Sequence, residues 1–196
     1  MQMGRRSMLT RKPMILVFAG PNGSGKSTIT QYLEKIGVYT NADDIVATTG
    51  MSNEDAALFA DERRYASIAA REDFTFETVL SSEYKLELLE KAKSEGYFIK
   101  CIYVLTIDPY INVARVETRV ALGGHNVETD KIIKRYYKSL NNVKRLLEIC
   151  DILHVYDNTF EPIRIIRKHK GELSIFPNEL WSEDKIIDLM GEKLQR

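Results

Sequence analysis

The sequence predicts a three-layer α/β domain: a mostly parallel, five-stranded sheet between helices, followed by a C-terminal hairpin and helix. Three observations point to it. Apolar runs of strand length alternate with amphipathic stretches from Pro13 to Asp157, the order that builds βαβ units with right-handed crossovers. The first run is apolar throughout and bounded by Pro13 and Gly20, as suits a parallel strand covered on both faces. The chain has 196 residues, 44% of them hydrophobic, enough for one core and a tight fit for two.

Residues 1–12 are basic and aperiodic, with Arg5, Arg6, Arg11 and Lys12. They read as a flexible tail ahead of a single domain over residues 13–196. After the strand at 14–18 a helix is expected over 26–36, stopped by Gly37. Residues 38–42 read as a second strand. Ser52 is placed to cap a helix over 53–70, with Leu58, Phe59 and Ile68 on one side. A third strand is expected at 74–76, then a helix opened by Ser81 or Ser82 and ended at Gly96. Residues 98–107 are rich in Ile, Val and Tyr and read as the fourth strand. Helices over 109–122 and 128–149 precede a fifth strand at 152–156. A hairpin over 163–176, turning at Gly171, and a helix from about Asn178 complete the chain.

Lys plus Arg and Asp plus Glu both total 28, so the formal net charge is zero. That balance argues against a generic polyanion binder and against intrinsic disorder. Cys101 and Cys150 lie in apolar surroundings and read as buried free thiols. No His or Cys cluster has zinc-site spacing. The apolar run at 14–19 is too short for a signal h-region or a membrane span, so a cytoplasmic protein without a membrane partner is expected.

The segment Gly20-Pro21-Asn22-Gly23-Ser24-Gly25-Lys26-Ser27 fits G-x-x-x-x-G-K-[ST] at every fixed position, between a buried strand and a helix start. Its glycines let successive N–H groups turn inward around phosphate oxygens. Lys26 is suited to the β- and γ-phosphates of ATP, and the Ser27 hydroxyl to Mg²⁺. Thr28 either contacts the α-phosphate or merely sits in the first helical turn. The guanine-reading N-K-x-D is absent, and no strand ends in a Walker B aspartate. In Leu105-Thr-Ile-Asp108 the aspartate precedes Pro109, as a turn or helix-start residue does. A small phosphotransferase, a P-loop kinase, remains.

Such a kinase needs a carboxylate near the acceptor hydroxyl and arginines around the phosphates. Asp43 and Asp44 follow the second strand, and Glu77 with Thr78 follows the third. Both pairs fall at the sheet edge where ligands of open α/β sheets bind. Taken singly, the aspartates suit a helix cap or turn and Glu77 a solvated loop. Arg115 and Arg119 share one helix face. A break at Gly123-Gly124-His125 follows, then a helix carrying Lys134, Arg135, Tyr136 and Tyr137. The stretch over 109–149 reads as a helical lid, or else as a salt-bridged surface hairpin. His125 is a ligand contact or a turn residue.

The P-loop, Asn41-Ala-Asp-Asp-Ile45, Phe76-Glu-Thr-Val-Leu-Ser81, Arg115-Val-Glu-Thr-Arg-Val-Ala-Leu-Gly-Gly-His-Asn-Val127, Ile133-Lys-Arg-Tyr-Tyr137 and Val155-Tyr-Asp-Asn158 together resemble the zeta-toxin family, and within it the short, stand-alone bacterial branch. The resemblance implies a P-loop kinase that transfers the γ-phosphoryl group of ATP·Mg²⁺ to the 3′-hydroxyl of a UDP-activated amino sugar such as UDP-N-acetylglucosamine. It implies Asp43 as catalytic base and Glu77 as the carboxylate that holds the sugar. Arg119 and Arg135 match lid arginines on the ATP phosphates, with Arg115 as a third. A separate antitoxin partner is compatible with it. The chain departs from the longer toxins in carrying Asn41 where they have aspartate. Two other readings stand beside this one: an ATPase switch acting on a protein or nucleic acid, and a polynucleotide-end kinase.

Overall fold

The computed structural model describes residues 11–124 and 126–191. Arg5, Arg6 and His125 therefore lie outside the described residues.

Five strands are parallel: β1 (Met14–Ala19), β2 (Val38–Thr40), β3 (Phe74–Thr78), β4 (Phe98–Leu105) and β5 (Ile152–Asp157). The hairpin β6 (Ile163–His169) and β7 (Glu172–Ile175) does not stand apart. It pairs antiparallel with β5 and extends one sheet to seven strands, ordered β2-β3-β1-β4-β5-β6-β7. The extension follows from Ile165 and Ile166, which continue the buried face of Leu153 and Val155.

The period of two along β1 and β4 divides the core. Ile15, Val17, Ile99, Cys101 and Tyr103 face a layer made of α3 (Asn53–Ala70), α4 (Glu83–Ser94), α7 (Val143–Ile149) and α8 (Glu183–Met190). Leu16, Phe18, Ile102 and Val104 face the opposite layer, where Ile29, Leu33 and Ile36 cover them. Both cysteines are free and buried in the larger cluster.

Helix boundaries depart from the expected ones where tertiary bonds compete. α1 (Lys26–Thr30) ends six residues before Ile36. Its apolar spacing is helical, but the main chain of Ile36 is clasped by one side chain: its N–H donates to Thr75 Oγ1 at 2.8 Å, and Thr75 Oγ1 donates to its carbonyl at 2.7 Å. The second strand stops at Thr40 because Asn41 caps α2 (Ala42–Thr49), its side chain accepting from the Asp43 N–H at 3.0 Å. On α3, Leu58 and Phe59 are exposed, and the buried face is instead Ala56, Ala60, Asp61, Arg64, Ser67 and Ile68. The expected helix over 128–149 divides at Asn142 into α6 (Thr129–Asn141) and α7. Asn142 Nδ2 there donates to the Leu80 carbonyl at 3.0 Å. The final helix begins at Glu183, capped by Ser182. Ser52 caps α3 as expected, and Asp108 caps α5 (Pro109–Ala121), the second of its two readings.

α5 and α6 carry a small apolar cluster of their own, Val113, Val116 and Ile132, distinct from the two sheet clusters. No helix among the described residues is long and apolar enough to cross a membrane.

His154 lies half-buried on β5, and its pKa is pushed down to about 4 by burial, with Arg164, Lys100, Arg167 and His169 adding repulsion. Unfolded, it protonates near pH 6.5. Its contribution to stability is thus complete above about pH 6.5 and is lost as pH falls toward 4. Allowing for solvent screening, we expect a loss on the order of 1–2 kcal/mol. Urea unfolding at pH 7 and pH 5 should show that slope, and His154→Gln should flatten it.

Candidate active site

The loop after β1 is set by its surroundings before any ligand arrives. Its start is tied to β3 by the Gly20 N–H, which donates to the Thr78 carbonyl at 3.2 Å. Two asparagines hold its outward carbonyls. Asn112 Nδ2, on α5, donates to the Asn22 carbonyl at 2.7 Å, and Asn158 Nδ2, after β5, donates to the Ser24 carbonyl at 2.9 Å. Thr106 fixes the Asn112 amide through a 2.5 Å bond to its Oδ1. Loops of this spacing turn their remaining N–H groups toward the concave side. Gly25 adopts φ +82°, where a side chain is strained, and a Cβ there would lie 2.1 Å from Asn158 Nδ2, so any other residue would have to displace that amide.

The loop forms one wall of a cleft of about 1060 Å³. Gly23, Gly25, Lys26, Ser27 and Thr28 line it, as do Asp43 and Asp44 from the first turn of α2. Glu77 and Thr78 enter from the end of β3, Arg115 and Arg119 from α5, and Arg135 from α6. The expected site residues thus converge, with three exceptions. Gly20, Pro21 and Ser24 do not line the cleft and shape the loop instead. The Pro21 carbonyl accepts from the Ser24 N–H at 3.3 Å, and Ser24 is fully buried. Thr78 has a second duty, since its hydroxyl accepts from the Leu80 N–H at 3.0 Å in the turn that follows β3.

Lys26 Nζ donates to the carbonyls of Gly20 at 2.8 Å and Pro21 at 3.2 Å. Burial pulls its pKa down to about 8; Glu77 and Asp43 oppose the fall, and Arg119 adds to it. Arg115 Nη2 donates to the Thr159 carbonyl at 2.9 Å, while its buried Nη1 has no hydrogen-bond partner among the described residues. An unsatisfied guanidinium nitrogen beside a loop of inward N–H groups fits a polyanionic ligand such as a nucleoside triphosphate. No cluster of three or more His, Cys, Asp or Glu suited to a metal occurs among the described residues. Mg²⁺ at nucleotide sites in general takes most of its ligands from phosphates and water, so it needs no such cluster.

The lysine gives a testable linkage. A bound triphosphate restores its proton, so nucleotide affinity should be flat below about pH 7.5 and weaken above pH 8. Calorimetry at pH 8, in two buffers of different ionisation enthalpy, should register uptake of about half a proton per nucleotide.

Several residues of this site escape the sequence reading. Tyr39 donates its hydroxyl to Glu77 Oε1 at 2.8 Å, and Asn41 Nδ2 donates to the Tyr39 oxygen at 3.3 Å. Tyr136 roots α6 by donating to the Thr106 carbonyl at 2.6 Å. Asn112 sits 90 residues from the carbonyl it holds, and nothing in its neighbours announces that bond. Arg64 and Lys85 also line the cleft, and both pair with Asp61.

No protein-family model matches the chain. An uncharacterized protein of Haemophilus influenzae is 26% identical over 140 residues, 68% of this chain and all of that protein. Among solved structures, a chain of the AvrRxo1-ORF1:-ORF2 complex with ATP superposes with a TM-score of 0.63 at 14% identity, over 85% of this chain. This chain spans 61% of that one, less than two thirds of its length. A chain of the PezAT chromosomal toxin–antitoxin system of Streptococcus pneumoniae gives a TM-score of 0.59 at 14% identity, covering 97% of this chain and 84% of that one. The chain therefore shares the α/β fold of these two proteins, a mostly parallel sheet between helices with the phosphate-loop sequence after β1.

Proposed function

We propose that the protein is an ATP-dependent phosphotransferase of the zeta-toxin type, acting on a hydroxyl of a small substrate, with a UDP-activated amino sugar such as UDP-N-acetylglucosamine as the acceptor. The observation that carries the reading is the meeting of three chemistries in one cleft. A phosphate loop with Lys26, two carboxylates within electrostatic reach of that lysine, and three arginines from α5 and α6 all line it.

ATP is held by the loop N–H groups, Lys26 and the guanidinium of Arg115. Asp43 accepts the proton of the acceptor hydroxyl as its oxygen attacks the γ-phosphorus; the bond to the β,γ-bridging oxygen breaks, and ADP leaves. Lys26, Arg119 and Arg135 stabilise the charge on the transferring group. Glu77, with one oxygen already engaged by Tyr39, has the other free to accept from an acceptor hydroxyl. Asp44 and Thr78 complete the acceptor side. The Ser27 hydroxyl would hold Mg²⁺ together with the phosphates, and the ion would supply neutralisation of phosphate charge. The polar lining of the acceptor half, with Asn41, Asn53, Ser81 and Ser82, suits a polyhydroxylated ligand. A separate antitoxin is a natural partner on this reading, given that the PezAT neighbour is a toxin–antitoxin system.

The test is phosphoryl transfer from ATP·Mg²⁺ to a panel of UDP-sugars, nucleosides and oligonucleotides, followed by phosphorus NMR beside a Lys26→Ala control. A new sugar-phosphate signal, lost in the control, is expected. A 5′-phosphorylated oligonucleotide would replace the acceptor assignment. ATP hydrolysis without any new phosphoester would reject transfer to this panel.

A further inference from the structure

Asp43 and Glu77 stand just beyond the ends of a weakly paired edge. β2 meets β3 through only three residue pairs, the last of them Thr40 with Phe76. As the outermost strand, β2 has no second neighbour among the described residues. A three-residue edge strand fixes its own tip poorly, yet the reading above requires its tip to present a base at a set distance from Glu77.

Arg64 supplies the missing restraint. It reaches from α3 with a side chain only 2% exposed. Its Nε donates to Thr40 Oγ1 at 2.9 Å, and its Nη2 lies 3.3 Å from the Thr40 carbonyl and 3.4 Å from the Glu77 carbonyl. One planar fork thus spans both strand tips. The fork is itself fixed from behind: Nη1 donates to Asp61 Oδ1 at 2.7 Å, and Cζ lies 4.5 Å over the Phe76 ring. Asp61 is held in turn by Lys85 of α4, whose ammonium contacts both carboxylate oxygens. A guanidinium has five donors in fixed directions, whereas an ammonium is a point charge on a flexible stem. The four acceptors engaged here, the Thr40 hydroxyl and carbonyl, the Glu77 carbonyl and the Asp61 carboxylate, outnumber the three donors of an ammonium.

We propose that Arg64 is a positioning residue for phosphoryl transfer, clamping the tips of β2 and β3 so that Asp43 and Glu77 face one acceptor. The proposal rests on the kinase reading for its functional consequence, and on geometry alone for the clamp. Asp61 keeps Lys85 as its partner when the guanidinium is removed, so no lone buried carboxylate is created.

The experiment compares wild type, Arg64→Lys and Arg64→Ala by two readouts. The first, independent of any activity, is amide hydrogen exchange. Segments 39–44 and 76–79 should exchange at least tenfold faster in both variants, with β1 and β4 unchanged. Unaltered exchange at the two tips overturns the clamp, whatever the protein phosphorylates. The second is the ratio of transfer to the acceptor over hydrolysis of ATP by water, with the ATP dissociation constant measured alongside. We expect the ratio to fall at least tenfold in Arg64→Lys, with ATP affinity within threefold of wild type. A loss of folded protein lowers both rates together and leaves their ratio intact, so an unchanged ratio overturns the positioning role. Absence of transfer in the wild type itself rejects the kinase reading, and with it the positioning role, while the exchange result still decides the clamp.

Discussion

Replacing Asp43 by asparagine should lower phosphoryl transfer by about 10²–10⁴-fold, the usual worth of a positioned general base. ATP affinity should stay within about threefold of wild type or tighten, because the change removes a negative charge from a cleft that receives a triphosphate. The fold has little reason to respond. The bond that starts α2 runs from the Asp43 main-chain N–H to Asn41 Oδ1, and the substitution keeps it. The side chain itself lies at an exposed helix start, and the amide is of nearly equal size. Single-turnover transfer with nucleotide binding measured alongside decides the matter. Transfer at the wild-type rate would reject Asp43 as the base and leave Asp44 or Glu77 to be tested in the same way.

Gly25→Ala is expected to act on the other substrate. The residue adopts φ +82°, where a Cβ costs about 1–2 kcal/mol from the backbone alone. The new methyl would also stand 2.1 Å from Asn158 Nδ2, the atom that holds the Ser24 carbonyl. Either the amide is displaced, freeing the carbonyl to swing into the phosphate cradle, or the loop shifts bodily. Both spoil the inward set of N–H groups. We expect nucleotide affinity to fall at least a hundredfold and the melting temperature to drop by several degrees. The pair Gly25→Ala with Asn158→Gly separates the two causes. If the clash dominates, the double variant regains part of the lost stability; if backbone strain dominates, it regains none. Fluorescent-nucleotide titration and thermal unfolding of the three variants provide the readings.

What could be read in the sequence was whatever is settled within a few neighbours. The phosphate loop is one such feature, because its spacing between a buried strand and a helix start is local. The runs that became β1 and β4 are others, as are the caps Ser52 and Asp108, whose side chains bond two or three residues on. The carboxylates and arginines of the cleft were also legible, since each falls at a strand end or on a recognisable helix face. What escaped depended on partners far along the chain. α1 stops early because a threonine 39 residues away takes over the main chain of Ile36. The apolar Leu58 and Phe59 marked the wrong side of α3, because a buried Arg64 and Asp61 become tolerable only with Thr40 and Lys85 in place. Tyr39 had no signal at all. In a three-residue strand a tyrosine is an ordinary choice, and only its register opposite β3 carries its hydroxyl to Glu77.

The separate apolar cluster of α5 and α6 bears on how this molecule can move. Val113, Val116 and Ile132 bind the two helices to each other rather than to the sheet. The pair therefore carries much of its cohesion with it, and the free energy of displacing it is set by Leu140 against the main core and by a few polar roots. One root is Tyr136 on the Thr106 carbonyl; another is Asn112, which sits on α5 yet grips the Asn22 carbonyl inside the phosphate loop. The same Thr106 that receives Tyr136 also fastens Asn112. A tilt of the helical pair is thus geared to the curvature of the loop: α5 cannot swing without drawing on the strand of backbone that cradles the phosphates.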